Sequence, residues 1–119
     1  MLVEKKSVRQ IEDEGYRRWF SDRDFDLIVW YDQDEIIGFQ LCYDKTYEER
    51  AITWNKKGGF SHNKIDDGEA PFSYKMTPVL VQDGAFNKNA IAARFKRAAE
   101  RVDKSIFTFV YNKLSEYQP

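Results

Sequence analysis

A basic, glycine-containing stretch is the part of the sequence best suited to binding an anion. Lys56, Lys57, Gly58 and Gly59 precede His62, the only histidine. Glycines allow backbone amides to converge on an anionic group, and lysines supply the opposite charge. The stretch lacks the spacing of a Walker-type phosphate loop. Most such stretches are hairpin turns with solvated lysines. Lys56, Lys57 and His62 are therefore predicted ligand-binding residues only under our second functional hypothesis, which is a small enzyme or ligand-binding protein for an anionic small molecule.

A cysteine nucleophile is the next chemistry that the residue types allow. Cys42 is the only cysteine, so an internal disulfide framework is excluded. A reactive thiolate needs a nearby cation, histidine or helix N-terminus to lower its pKa. One predicted strand and two loops separate Cys42 from His62. A lone cysteine in a strand is more often a small buried apolar residue, and we predict no catalytic residue.

Two acidic runs, beginning at Asp22 and Asp32, place aspartates at alternate positions as a calcium loop does. That loop also requires glycine at its sixth position and a bidentate glutamate at its twelfth. Here the sixth positions are Leu27 and Ile37, so neither run fits. We interpret the aspartates as residues that begin and end strands, and we predict neither a metal site nor a cofactor.

Period-two alternation of apolar residues predicts the strands that must position these side chains. Residues 25–31 alternate first, and the return strand places Ile37, Phe39, Leu41 and Tyr43 on one face. Residues 50–55 and 60–65 continue the pattern. Further strand candidates are residues 16–20 and a short edge strand at 78–81. The sequence therefore predicts an antiparallel β-meander of four to five strands.

After Asn87 the apolar period changes to three and four, which predicts one or two C-terminal helices. Asn87 and Asp103 are the predicted N-caps. In the second segment, Phe107, Val110, Leu114 and Tyr117 share a helical face, although residues 106–111 also have the composition of a strand. Strands followed by helices are typical of an α+β fold, and we predict a single domain over residues 1–119.

The opposite face of the predicted sheet is unusually apolar for a surface in contact with solvent. It carries Ile28 and Trp30, and the return strand adds Ile36 and Cys42. We therefore expect this face to be covered by residues 66–86, by a second copy or by a protein partner. Our first hypothesis is a non-enzymatic interaction module that forms a homodimer through Ile28 and Trp30.

The net charge of −1 hides an uneven distribution along the chain. Residues 1–50 carry 8 basic and 13 acidic side chains, whereas residues 87–104 carry 6 basic and 2 acidic ones. A third hypothesis is weak nucleic-acid binding through the basic helix, although a nearly neutral total disfavours it. The chain has neither an apolar run of 18 residues nor a signal-like N-terminus, so we expect a cytoplasmic protein and no membrane span.

Overall fold

The computed structural model describes residues 1–6, 8–10, 15–46, 49–66, 79–82 and 87–117. The predicted order of strands followed by helices is confirmed. Residues 67–78 and 83–86, which make up most of the predicted covering segment, lie outside the described residues. The strands are β1 (Val3–Glu4), β2 (Tyr16–Ser21), β3 (Phe25–Asp32), β4 (Glu35–Tyr43), β5 (Arg50–Asn55), β6 (Gly59–Asp66) and β7 (Val79–Gln82). The helices are α1 (Lys88–Ala98) and α2 (Lys104–Glu116).

The strands form one sheet whose spatial order follows the sequence, and every neighbouring pair is antiparallel. The predicted β-meander is therefore confirmed, but it is larger than expected. The described residues supply six strands of four or more residues, together with the two-residue strand β1. A strand as short as β1 contains no full period of alternation, which is why its residues gave no signal in the sequence.

Both helices pack on one face of the sheet, which we call the helix side. Cross-strand neighbours on this face include Leu27, Leu41 and Ile52 in one row and Val29 and Phe39 in the next. These five side chains are fully buried. They pack in one cluster with helix residues that follow the three-and-four spacing, among them Ile91, Phe95, Val102, Ile106, Val110 and Leu114.

A β-bulge changes which residues of β4 reach the helix side. The pairing of β3 with β4 shifts between Trp30 and Tyr31, so that Tyr31 lies opposite Ile36. Ile36 consequently packs against the core, as Tyr31 does. The sequence placed Ile36 on the opposite face and Ile37 with the core residues. That assignment of Ile36 is wrong, because strict alternation does not allow for the extra residue of a bulge.

Both predicted helix caps are confirmed. The Asn87 side chain accepts a hydrogen bond from the Ala90 amide at 3.2 Å, and Asp103 accepts one from the Ser105 amide at 2.9 Å. Residues 106–111, for which strand was the alternative, are helical. Within α2, Ile106 rather than Phe107 is the fully buried residue at the start of the apolar face. Such caps satisfy amides that have no partner within the helix.

The N-terminal residues join the sheet to the helices. The Leu2 side chain is fully buried in the core cluster. Its amide donates to the carbonyl oxygen of Ala98, at the end of α1, at 2.7 Å. Val3 and Glu4 then pair with Ser21 and Phe20 of β2. Leu2 thus anchors the start of the described chain against the last turn of α1.

Candidate functional site

Lys56 and Lys57 lie in the exposed turn between β5 and β6, as the glycine-containing stretch predicted. The Lys56 ammonium donates to Glu35 at 2.7 Å, and this hydrogen bond raises the pKa of Lys56. A cavity of about 660 Å³ lies beside the turn and is lined by Asp32, Glu35, Ile37, Asn55, Lys56 and Lys57. Two carboxylates and two ammonium groups leave the described lining residues without net charge.

His62 lies elsewhere, on the helix side of β6, and is not among the described residues that line this cavity. It is only 4% exposed and is the one buried polar residue within the described part of the chain. The three residues of our second hypothesis therefore do not form a single described cavity. Lys56 and Lys57 belong to an exposed turn, whereas His62 belongs to the interior.

The closest described polar contact of His62 is with Tyr43. The Tyr43 hydroxyl and His62 Nε2 are 2.5 Å apart, and the two rings are nearly parallel with centroids 5.9 Å apart. Neutral histidine has one ring nitrogen that donates and one that accepts. The pair can therefore form with the tyrosine hydroxyl as donor or with Nε2–H as donor. In either case the contact satisfies a polar group that would be costly to bury alone.

Two cations lie in register with Tyr43. Tyr43 of β4 is opposite Arg50 of β5, and Arg50 is opposite Lys64 of β6. Because side chains alternate along a strand, Arg50 shares the face of Ile52, and Lys64 shares the face of His62. Arg50 and Lys64 are half-buried. We call Tyr43, Arg50, His62 and Lys64 the basic cluster.

The end of α2 forms one wall beside the basic cluster. The ring of Tyr117 lies edge-on to His62 at 6.5 Å and to Phe60 at 5.4 Å between centroids. The Lys88 ammonium of α1 donates to the carbonyl oxygens of Ser115 and Tyr117 at 3.3 and 3.2 Å. A cation at this position also interacts favourably with the negative end of the α2 helix dipole. Lys88 therefore helps to fix the wall.

Cys42 lacks the surroundings of an activated nucleophile. Cys42 pairs with Ala51, which pairs with Asn63, so the thiol lies on the face opposite His62. Burial, followed by the negative charges of Glu49 and Asp26, raises the pKa of Cys42 to about 12. A thiol with so high a pKa is a poor nucleophile near neutral pH. Among the described residues, no group of histidine, cysteine and acidic side chains could hold a metal ion.

The sheet face opposite the helices, which we call the second face, contains the interface residues predicted from the sequence. Ile28 and Trp30 point to this face and are half-buried, and neither belongs to the core cluster. At the centre of the face, Cys42 is 6% exposed and Ala51 is fully buried. Near β2, Asp26 accepts hydrogen bonds from Ser21 at 2.6 Å and Trp19 at 3.3 Å. The second face is thus a mixed surface of aromatic and hydrogen-bonded polar side chains.

The basic face of α1 is partly engaged within the fold. Arg94 forms an ion pair with Asp44 at 3.0 Å and lies over the ring of Phe25. Arg97 and Arg101, by contrast, are exposed. The ion pair with Asp44 gives Arg94 a role within the fold. Nucleic-acid binding through Arg97 and Arg101 stays a prediction.

Sequence reasoning identified His62 but missed Tyr43, Arg50 and Lys64 as its neighbours. Alternation alone places Lys64 on the face of His62, two residues further along β6. The register of β4, β5 and β6 is also needed to bring Tyr43 and Arg50 beside them. The sequence predicted these strands and the loop between β4 and β5, but it did not predict which residues pair across them.

The comparisons with known proteins add no functional assignment. No protein-family model, curated protein or solved structure matches the chain. In the part of the chain that the structure describes, no helix is long and apolar enough to span a membrane.

Proposed function

We propose that this domain binds a small anionic molecule at the basic cluster. The observation that carries the proposal is the cross-strand pairing of Arg50 with Lys64 on the face that holds His62 and Tyr43. Like charges directly opposite each other on a sheet destabilise it. An anionic group bound here would contact both cations, in addition to the contacts that they already make. The proposal keeps His62 from the second hypothesis and replaces Lys56 and Lys57 by Arg50 and Lys64.

The burial of the cluster favours recognition of a specific molecule over loose attraction of ions. Arg50 and Lys64 are half-buried, and His62 and Tyr43 are 4% exposed. Charge-assisted hydrogen bonds are stronger where water is partly excluded. The tyrosine–histidine pair adds donors and acceptors that need no net charge. An anion with additional hydroxyl or carbonyl groups is therefore a better candidate than a simple ion.

The first test is a thermal-unfolding screen with inorganic phosphate, citrate and a nucleoside triphosphate, followed by calorimetric titration. A ligand that binds only the folded state must stabilise it by mass action. Lys64→Gln and Arg50→Gln each remove one charge-assisted interaction worth about 1.5–3 kcal/mol. We expect each substitution to weaken binding about tenfold or more.

Lys57→Gln is the matched control, because it removes the same charge from the exposed turn. It should leave the affinity unchanged. If none of the anions stabilises the protein, or if Lys64→Gln binds as well as the unmodified protein, the proposal is wrong. Weaker binding in Lys57→Gln but not in Lys64→Gln would return the site to the turn.

A second candidate function is self-association through the second face. The observation that favours it is that Ile28 and Trp30 lie on a face whose half-buried aromatic residues stand outside the helix-packed core cluster. Large apolar patches on a sheet mark interfaces more often than solvated surfaces. Under this hypothesis the domain is an interaction module and the basic cluster plays only a structural role.

Molar mass measured by light scattering across protein concentrations tests this second candidate. A mass near twice 14.1 kDa that Trp30→Asp reduces to a single chain would support it. A monomer at all concentrations would contradict the homodimer. Ile28→Thr is the second variant, since a milder polar change separates lost association from outright unfolding if Trp30→Asp fails to fold.

A further inference from the structure

The second face carries three rows of uncharged residues across β4, β5 and β6. Each row contains one residue from each of the three strands. Starting at the turn between β5 and β6, the rows are Gly38, Asn55 and Gly59, then Gln40, Thr53 and Ser61, then Cys42, Ala51 and Asn63. Since 33% of the residues in the chain are charged, the lack of charge is a property of this face rather than of the composition. We call the first two rows, together with Trp30 beside them, the uncharged patch.

The uncharged patch is open to solvent and rich in hydrogen-bonding groups. Asn55 and Ser61 are exposed, and Gln40 and Thr53 are half-buried. The Gln40 amide donates to the Thr53 hydroxyl at 3.1 Å, and Asn55 Oδ1 accepts a hydrogen bond from the Gly58 amide. Within the described part of the chain, the Asn55 amino group and the Ser61 hydroxyl have no hydrogen-bond partner. These two groups can therefore bind a ligand.

Trp30 is the less engaged of two tryptophans on the second face. The other, Trp19, donates its indole N–H to Asp26 at 3.3 Å, and the Lys5 ammonium lies over its ring, 4.5 Å from the centroid. Trp30 is half-buried, and among the described residues nothing hydrogen-bonds to its indole nitrogen or stacks on its ring. Tryptophan combines a large apolar ring with one hydrogen-bond donor. Trp30 can therefore offer both to a ligand.

Gly38 leaves room for the Trp30 ring to lie flat on the sheet. Gly38 is the cross-strand neighbour of Trp30, and Asn55 follows on the next strand. A Cβ on Gly38 would lie only 3.0 Å from the Trp54 carbonyl oxygen, so this position favours glycine. An aromatic ring opposite a glycine can lie across the neighbouring strand, because no side chain stands in its way. The burial of Gly38 agrees with such a position of the ring, which presents the other ring face to solvent.

The chemistry of the uncharged patch selects among ligands. An anion would meet no cation in the two rows, and a purely apolar ligand would leave Asn55 and Ser61 without partners, which is costly. A second sheet packs through interdigitating apolar side chains, which the two rows do not supply. A sugar ring fits, because its C–H groups are attracted to the negative face of an aromatic ring and its hydroxyls donate and accept hydrogen bonds.

We propose that the uncharged patch binds a neutral oligosaccharide. One sugar ring stacks on Trp30, and the hydroxyl groups of this ring and the next one bond to Asn55 and Ser61. The patch extends from β3 to β6, and strands spaced about 4.8 Å apart make it about 14 Å wide. This width gives room for a chain of sugar rings. The site is separate from the basic cluster, which lies on the helix side of the same sheet.

NMR titration of the isotope-labelled protein tests the proposal with three neutral probes, which are cellohexaose, maltohexaose and chitohexaose. We expect at least one of them to shift the indole N–H signal of Trp30 and the side-chain amide signal of Asn55. The indole signal of Trp54, which packs against the core on the helix side, should not move. The affinity should be equal at low and high salt, because a neutral ligand has no charge for salt to screen.

Substitutions locate the binding. Trp30→Leu keeps an apolar side chain but removes the ring, and it should weaken binding about tenfold or more. Asn55→Ala should weaken binding about threefold or more through the lost hydrogen bond. Asn112→Ala is the matched control, because it removes the same amide from an exposed position on α2 and should leave the affinity unchanged. Ser61→Ala, with the same expected effect as Asn55→Ala, covers the case in which loss of the Asn55 contact with Gly58 loosens the turn.

Three results would overturn the proposal. The first is that none of the three hexasaccharides moves the Trp30 signal at millimolar concentration, or that Asn55→Ala and Ser61→Ala both bind as tightly as the unmodified protein. The second is that a heparin hexasaccharide moves the same signals more strongly than the neutral probes at low salt and loses this effect at high salt, which would show an anion site. The third is a Trp30 signal that changes only with protein concentration, which would assign the face to a second copy.

Discussion

The helix side and the second face are made by alternate residues of the same strands, but they bury side chains by different means. On the helix side, α1 and α2 cover Phe39 and Leu41 completely. On the second face, Ala51 is fully buried and Cys42 is 6% exposed, although both stand outside the helix-packed cluster. Burial of side chains in this sheet therefore does not depend on helix packing alone.

The largest expected difference is between matched truncations on the two faces. Ile52→Ala removes a fully buried side chain from the helix side and should destabilise the fold by about 2–5 kcal/mol. Ile28→Ala removes a half-buried side chain and should cost about 1–2 kcal/mol. Urea unfolding measures both losses of stability when the slope of the unfolding free energy against urea concentration is the same in the two variants. Equal losses would mean that the second face is as tightly packed as the helix side.

The second prediction concerns how firmly the second face is closed. Burial raises the pKa of the Cys42 thiol to about 12, and only the thiolate reacts readily. Alkylation by iodoacetamide at pH 8 should therefore be at least about a hundredfold slower in the native protein than in urea. Similar rates in the two conditions would show that the centre of the second face opens easily.

The third prediction tests the polar end of the helix side. Tyr43→Phe keeps the ring but removes the hydroxyl that contacts His62 Nε2 at 2.5 Å. Losing this buried hydrogen bond should cost about 0.5–1.5 kcal/mol. Tyr16→Phe is the control, since Tyr16 is 57% exposed and should change stability little. An unchanged unfolding free energy in Tyr43→Phe would show that the contact between Tyr43 and His62 does not stabilise the fold.

The smallest effect is expected for the ion pair between Glu4 of β1 and Arg18 of β2, at the edge of the sheet. Arg18 donates to the Glu4 carboxylate and lowers its pKa below 4.5. A carboxyl whose pKa is lower in the folded state stabilises the fold above its unfolded pKa, and the contribution is lost as the pH falls through the folded value. Because both side chains are partly exposed, Glu4→Gln should cost less than about 1 kcal/mol at pH 7.

The pH dependence of that variant supplies its control. The difference in unfolding free energy between the unmodified protein and Glu4→Gln should be constant from pH 7 to pH 5 and should shrink below pH 4.5. A difference that grows on acidification would contradict the assigned ion pair. Circular dichroism during urea unfolding at each pH measures it.

Local patterns were sufficient to predict much of the fold. Alternation predicted β3, β4 and β5, and the caps Asn87 and Asp103 marked both helix starts. The bulge at Trp30 was not predictable, because it depends on how two strands twist and pair after they meet. It turned Ile36 toward the core cluster, although Ile36 alone is an ordinary strand former.

The candidate site was less predictable than the fold. His62 was visible because it is the only histidine, and the turn lysines were visible because glycines follow them. Arg50 and Lys64 lie 14 residues apart in sequence and become neighbours only through strand register. Sequence patterns identify residues that are close along the chain, whereas the residues of the basic cluster come together through pairing between strands.

The contact between Leu2 and Ala98 has a consequence for the order of events during synthesis. Leu2 is synthesised before α1 and α2, but the pocket that buries its side chain is completed by both helices. Leu2 therefore has no complete pocket until both helices have been made. It is among the earliest residues of this domain to be synthesised and among the latest to dock.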